Sequence, residues 1–219
     1  MKKLISLISS SLLITIVSAK AEIGIGISGA MHYIDGSGTE TTRQSNEKNS
    51  GSHDETATVP ELFIEAISDD GLAIGISYIP TREMGSKTRT DTSTGADVAS
   101  EADTGDYTAK AELDNVIKIY TDIPAGSIAG YDTYIHLGVQ HVTLATLESL
   151  NSGASYPNKD LVGATIGLGT RGDLPYGNMY YKGELTYTNF ESYEADGAGN
   201  KVTADLEDFA ARFSIGYKF

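Results

Sequence analysis

Four histidines are the side chains best suited to proton transfer or metal binding at neutral pH, and they stand apart as His32, His53, His136 and His141. None falls in a His-Glu-x-x-His or other metal-ligand spacing. His136 and His141 are an odd number of positions apart, which puts them on opposite faces of one strand. The chain has no cysteine, so thiolate metal sites, thiol nucleophiles and disulfides are excluded. A serine nucleophile of the triad type uses a histidine as its base. Thr143 and Ser149 follow His141, but no acid–base–nucleophile set is legible there. The histidines therefore read as scattered polar residues, with no catalytic, metal or cofactor site and no enzyme. Gly24-x-Gly26 and Gly167-x-Gly169 resemble fragments of phosphate loops, yet neither joins a strand to a helix. They read as room for bulky neighbours.

What the sequence does offer is ionic chemistry of both signs. Glu61, Glu65, Lys110, Glu112, Asp114, Lys118, Lys182, Glu184, Asp208 and Arg212 fall on the polar side of alternating segments. Enclosed together in a low-dielectric space, such charges are costly unless paired, so they are expected to pair and fill it. The alternative is that some line a water-filled path. The acidic clusters Asp91, Asp97, Glu101, Asp103, Asp106 and Glu191, Glu194, Asp196 lack regular ligand spacing and suit loose divalent-cation binding at most. The formal charge of −14 excludes a nucleic-acid partner, which needs a basic face, and docking on an anionic membrane through a polybasic patch.

The elements that must position these charges are strands. At the end of the chain, Phe209, Ala211, Phe213, Ile215, Tyr217 and Phe219 alternate with Asp208, Ala210, Arg212, Ser214, Gly216 and Lys218, and a period of two separates the sets onto opposite faces. Eight such stretches run along residues 23–219, opening with Ile23, Ile25, Ile27 and Met31. Most are about nine residues or longer, enough to cross a bilayer at a tilt. Tyrosine is abundant at 13 residues against 5 phenylalanines and no tryptophan. Tyr33, Tyr78, Tyr107, Tyr131, Tyr181 and Tyr187 fall on the apolar face, as interfacial girdles would.

The connections alternate in length. Asp69-Asp70-Gly71, the stretch around Pro124-Ala125-Gly126, and Asp173 to Gly177 are short. Residues 36–57, 82–106, 146–160 and 191–204 are long and polar. Short turns at one end and long loops at the other fit a membrane barrel. In hydrocarbon no sheet edge can stay unpaired, so the strands must close. The expectation is an all-β, closed, antiparallel eight-stranded transmembrane barrel in up-and-down order, spanning residues 22–219. Residues 1–21 read as a signal peptide: Lys2 and Lys3, a short apolar run, then Ala19-Lys20-Ala21. Its removal takes the formal charge from −14 to −17.

The Phe213-x-Ile215-x-Tyr217-x-Phe219 ending resembles the terminal signal read by the bacterial barrel-insertion machinery. With the strand pattern, it makes the chain similar to the small eight-stranded outer-membrane barrels, the opacity-type surface antigens and the OmpA-class transmembrane domain. The resemblance implies a monomer in outer-membrane lipid, inserted by that machinery, without the OmpA-class peptidoglycan-binding domain. It also implies a structural or surface-interaction role that displays four acidic loops, whose ligand stays open. The alternatives are a narrow channel for small or apolar solutes and an enzyme acting on outer-leaflet lipid.

Overall fold

The computed structural model describes residues 21–42, 46, 48–91, 105–149, 156–196 and 200–219. The signal-peptide assignment for residues 1–20, the loop acids Asp97, Glu101 and Asp103, and the side chains of Asp91, Asp106, Tyr107 and Ser149 lie outside the described residues.

Among the described residues, ten strands form one antiparallel sheet: β1 (Ala21–Thr42), β2 (Lys48–Ser68), β3 (Ala73–Ile79), β4 (Arg82–Asp91), β5 (Gly105–Ile128), β6 (Tyr131–Ser149), β7 (Lys159–Asp173), β8 (Met179–Phe190), β9 (Tyr193–Asp196) and β10 (Asn200–Lys218). They make eight staves. Pro80-Thr81 interrupts the β3/β4 stave, and Glu191-Ser192 interrupts the β8/β9 stave. Neighbours in sequence pair around the ring, and β10 returns to β1 from Gly24↔Lys218 to Thr42↔Asn200. The result is a closed meander barrel.

Alternation decides which face each residue takes. Ile23, Ile25, Ile27, Met31 and Tyr33 of β1 point outward, with Ile27 55% exposed. Ser28, Ala30 and His32 between them are buried inside. The same holds for Ile117 and Ile119 against Lys118 and Tyr120, and for Phe213 and Ile215 against Arg212 and Ser214. An apolar outside with a polar inside suits hydrocarbon around the barrel and no other solvent.

That polarity reverses toward the long-loop end. Beyond Tyr33 the outward residues of β1 are Asp35, Ser37 and Thr39, while Ile34 faces in. Ile34, Val59, Ile79, Leu113, Val116, Val142, Leu144, Leu161, Phe190, Tyr193, Ala195 and Leu206 form an apolar core inside this part of the barrel. Much of what the sequence presented as loop is therefore strand: β1 and β2 extend to Thr42 and Lys48, and β4 and β9 lie within expected loops. Polar residues dominate these extensions because water bathes their outer face.

The turn end is tight. Gly71 closes the β2–β3 turn at φ +84°, where only glycine is unstrained, with Gly71 N–H donating to Ser68 C=O at 2.9 Å. The turn expected at Pro124–Gly126 is instead a bulge within β5. The chain reverses at Ala129-Gly130, both at positive φ, the geometry of a two-residue hairpin turn.

Candidate functional site

The charged side chains meet inside the barrel at membrane depth. Glu65 of β2 is the hub nearest the turn end. It accepts from Tyr120 Oη and Tyr180 Oη at 2.8 Å each and from Lys182 Nζ at 2.9 Å, and Arg171 Nη2 stands 3.4 Å away. Asp122 takes Lys182 at 2.7 Å, Arg171 at 2.9 Å and His136 Nδ1 at 2.7 Å. Deeper in, Glu61 holds Arg212 Nε at 2.8 Å and Nη2 at 2.9 Å, with His32 Nε2 at 3.3 Å and Lys118 at 3.8 Å. Glu184 joins His136 at 3.1 Å and Arg212 at 3.4 Å. Nearest the loop end, Asp208 binds Arg82 at 2.8 Å and His32 Nδ1 at 2.9 Å.

Among the described residues, five carboxylates thus face five lysine and arginine side chains: Glu61, Glu65, Asp122, Glu184 and Asp208 against Arg82, Lys118, Arg171, Lys182 and Arg212. Breaking one such pair strands a buried charge. The network is also sterically full. A void of about 10 Å³ lies among Ser77, Lys118, Tyr120 and His136, room for about one water. Above Asp208 the apolar core begins, with Ile79, Leu113, Val116 and Val142 fully buried. The bore is closed twice, first by ions and then by hydrocarbon side chains. A recess of about 510 Å³ opens at the turn end and stops at Tyr134 and Arg171.

Glycines make this density attainable. Tyr180 lies flat against Gly24 and Gly216, where a methyl group would overlap its ring. Phe63 sits on Gly26, Tyr120 on Gly75 and Tyr134 on Gly169 in the same way. Gly167 makes room for Thr186 and the neighbouring backbone.

The sequence-expected charges divide. Glu61, Glu65, Lys118, Lys182, Glu184, Asp208 and Arg212 lie in the network. Lys110, Glu112 and Asp114 do not. A bulge with Asn115 at φ +53° shifts the register between Asp114 and Ile117, so Ala111, Leu113 and Val116 face in and the three charged residues face out. There Lys110 pairs with Glu112 at 2.8 Å and Glu83 at 3.0 Å. These carboxylates, Glu112 first, raise its ammonium pKa above the ordinary lysine range. Asp114 accepts from Thr81 Oγ1 and from Asn115.

Two of the histidines are not scattered: His32 and His136 each bridge two carboxylates from different strands. Arg82, Asp122 and Arg171 also belong to the network without having been singled out. Inward parity marks His32, His136 and Arg171, but Arg82 is hidden behind Pro80 in what reads as loop. His53 lies outside the network against Glu55 at 3.7 Å. On the outer rim, Asp160 accepts from Thr143 Oγ1 at 2.8 Å and stands 3.9 Å from His141. The acid is in the middle, so His141 is not placed to take a proton from Thr143. Asp122, His136 and Glu184 converge within metal-binding reach, their ligand atoms all within 4.8 Å. Lys182 Nζ, 2.7 Å from Asp122 and 3.9 Å from Glu184, already supplies the cation.

Outward aromatics group toward two ends of the apolar belt. Tyr33 pairs with Phe209, and Phe209 packs on Tyr187 at 4.7 Å. Toward the turn end are Tyr131, Tyr181, Tyr217 and Phe219, the last two 4.9 Å apart. Tyr78 faces out from β3, two residues before Pro80.

The fold and this interior define a small transmembrane β-barrel with a filled lumen. No protein-family model matches the sequence, and no curated protein matches it. Solved structures similar to it include Neisserial surface protein A (8% identity, 87% of this chain and 97% of that one, TM-score 0.40). Another is the outer membrane protein OprG from Pseudomonas aeruginosa (14% identity, 92% and 97%, TM-score 0.46). A third is the outer membrane protein AlkL (11% identity, 92% and 91%, TM-score 0.47). Likeness at this level carries nothing about what the chain binds.

Proposed function

We propose that this chain is an integral protein of a bacterial outer membrane, a sealed post whose work is done by the surface it holds beyond the lipid. The observation that carries this reading is the double closure of the bore. Ions fill it at membrane depth, and the apolar core fills it above. A conduit for solutes needs neither, and a structural support is stiffened by both.

On this reading the outer belt meets lipid, the outer girdle of Tyr33, Tyr187 and Phe209 marks the far interface, and the extended strands stand clear of it. The protein is exported by a cleaved signal peptide. It is inserted through Phe213, Ile215, Tyr217 and Phe219, acts as a monomer and has no catalytic site. Planar-bilayer recording of the purified protein tests the reading. Silence is expected. Regular conductance steps that change with Arg212→Glu would establish a pore and sink it.

A further inference from the structure

Gly24, Gly26, Gly75, Gly169 and Gly216 make room for rings inside the barrel, but two outward glycines make room for nothing in the chain. A Cβ on Gly29 would meet no atom, and one on Gly183 would meet only the Thr170 methyl at 3.6 Å. Neither lies at positive φ. Glycine within a strand costs stability, and it often marks a place where something from outside the strand comes close. Both line a shallow groove of about 850 Å³ in the apolar belt, with Met31, Leu185, Ala211 and Phe213.

The groove has a direction. Ala211 stands between Met31 on β1 and Leu185 on β8. Gly183, one strand across and two residues nearer the turns, stands between Phe213 on β10 and Thr170 on β7. Ladder partners followed once around the barrel from Ile25, through β2 and on to β10, return to β1 at Asp35, ten residues nearer the loop end. That stagger tilts the strands by about 40° and makes each rung descend from β1 to β10 to β8. One strand across and two residues down, about 4.8 Å and 6.7 Å, lies about 35° off the strand in the opposite sense. The two tilts cancel, so the line from Tyr33 through Ala211 to Gly183 runs along the barrel axis. Tyr33 of the outer girdle caps it, and the Tyr181 ring closes it below, over Gly172.

We propose that this groove seats one acyl chain of an outer-leaflet lipid, lying along the membrane normal between Met31 and Phe213 on one side and Leu185 and Thr170 on the other. Hydrocarbon surrounds the wall at this depth, and the groove continues that interface. Lipid chains run on average along the normal, as the groove does, while the strands cross it at an angle. The upper end at Tyr33 is the level at which a lipid's polar part begins.

The inference rests on the reading that the apolar belt meets lipid, and the two fail separately. The probe is a phosphatidylglycerol with a diazirine midway along one palmitoyl chain, irradiated with the full-length protein in nanodiscs, and the adducts are mapped by mass spectrometry. Adducts are expected several-fold enriched around Gly183 and Ala211 over the opposite face at Ile76 and Ile119. Gly183→Leu plus Ala211→Leu should remove the enrichment, and Ile119→Leu should leave it. Adducts spread evenly over the belt, or enrichment that survives the double leucine variant, would overturn the acyl-chain site. A second copy seated in the groove would instead give homodimers on oxidation of Ala211→Cys, and would overturn it too. Adducts absent from the whole belt would remove the lipid reading itself, and the site with it.

Discussion

Arg212 and Glu61 lie 151 positions apart in sequence, yet Arg212 Nη2 donates to Glu61 Oε1 at 2.9 Å across the inside of the barrel. The two come from β10 and β2, each a neighbour of β1, so their contact ties the chain's closing strand to its opening hairpin. Arg212 also reaches Glu184 on β8, so one guanidinium clamps three staves.

Arg212→Met removes the guanidinium shared by Glu61 and Glu184 and leaves them only the more distant Lys118 at 3.8 Å and Lys182 at 3.9 Å. Breaking a buried pair by removing one partner costs about 3–5 kcal/mol, and urea unfolding followed by far-UV circular dichroism should move to lower midpoint accordingly. Adding Glu61→Met should recover part of the loss, because that charge is then no longer buried unpaired. A double variant no better than the single would mean the two residues act independently.

Tyr180 bridges Glu65 and the glycine floor of Gly24 and Gly216. Gly216→Val places methyl groups where the ring lies, so the ring must move and release Glu65. Overpacking of this kind costs roughly 1–3 kcal/mol. Heat-modifiability on gels should show unfolding at lower temperature than for wild type, and Gly29→Val, where nothing lies near the added Cβ, should shift it less.

Lys110 lies outside the membrane span, and its contacts with Glu112 and Glu83 favour the charged form. Its stabilising contribution to the β4–β5 hairpin is therefore present below the unfolded lysine pKa of about 10.4 and is lost as pH rises through the raised folded value. NMR titration of the Lys110 side chain should give a midpoint above that of free lysine, and Glu112→Gln should lower it.

Polarity of the outer wall changes sharply past Tyr33. Ile27→Arg puts a charge into hydrocarbon and should cost about 2–4 kcal/mol, while Ser37→Arg, beyond the belt, should cost about 0–1 kcal/mol. Equal effects at the two positions would contradict the placement of the membrane edge.

The barrel was legible because hydrocarbon enforces strict alternation over long runs. Ile23 to Tyr33 and Phe209 to Phe219 have little freedom to be anything but outward sides of strands. The extensions were not legible. Thr39, Ser50, Asp54 and Thr203 face water from a strand much as they would from a loop, so composition does not separate the two. The network was half legible for a similar reason. Parity places Glu61, Glu65 and Arg212 inside but fails at Lys110, Glu112 and Asp114, because the bulge at Asn115 flips the face and its one mark is an asparagine, a type that tolerates positive φ. His32 and His136 were visible on the inward side. Their significance depended on Asp208 and Glu61, and on Asp122 and Glu184, which only folding brings beside them.

The central claim is that the barrel is apolar outside and ionic inside up to one level, and the reverse beyond it. A single-cysteine scan of β1 on intact cells with an impermeant maleimide tests it most directly. Cysteines at Ile25, Ile27 and Ser28 should resist labelling, those at Ser37 and Thr39 should react, and one at Ile34 should be protected. Ready labelling at Ile25 and Ile27, with Ser37 and Thr39 shielded, would contradict the account.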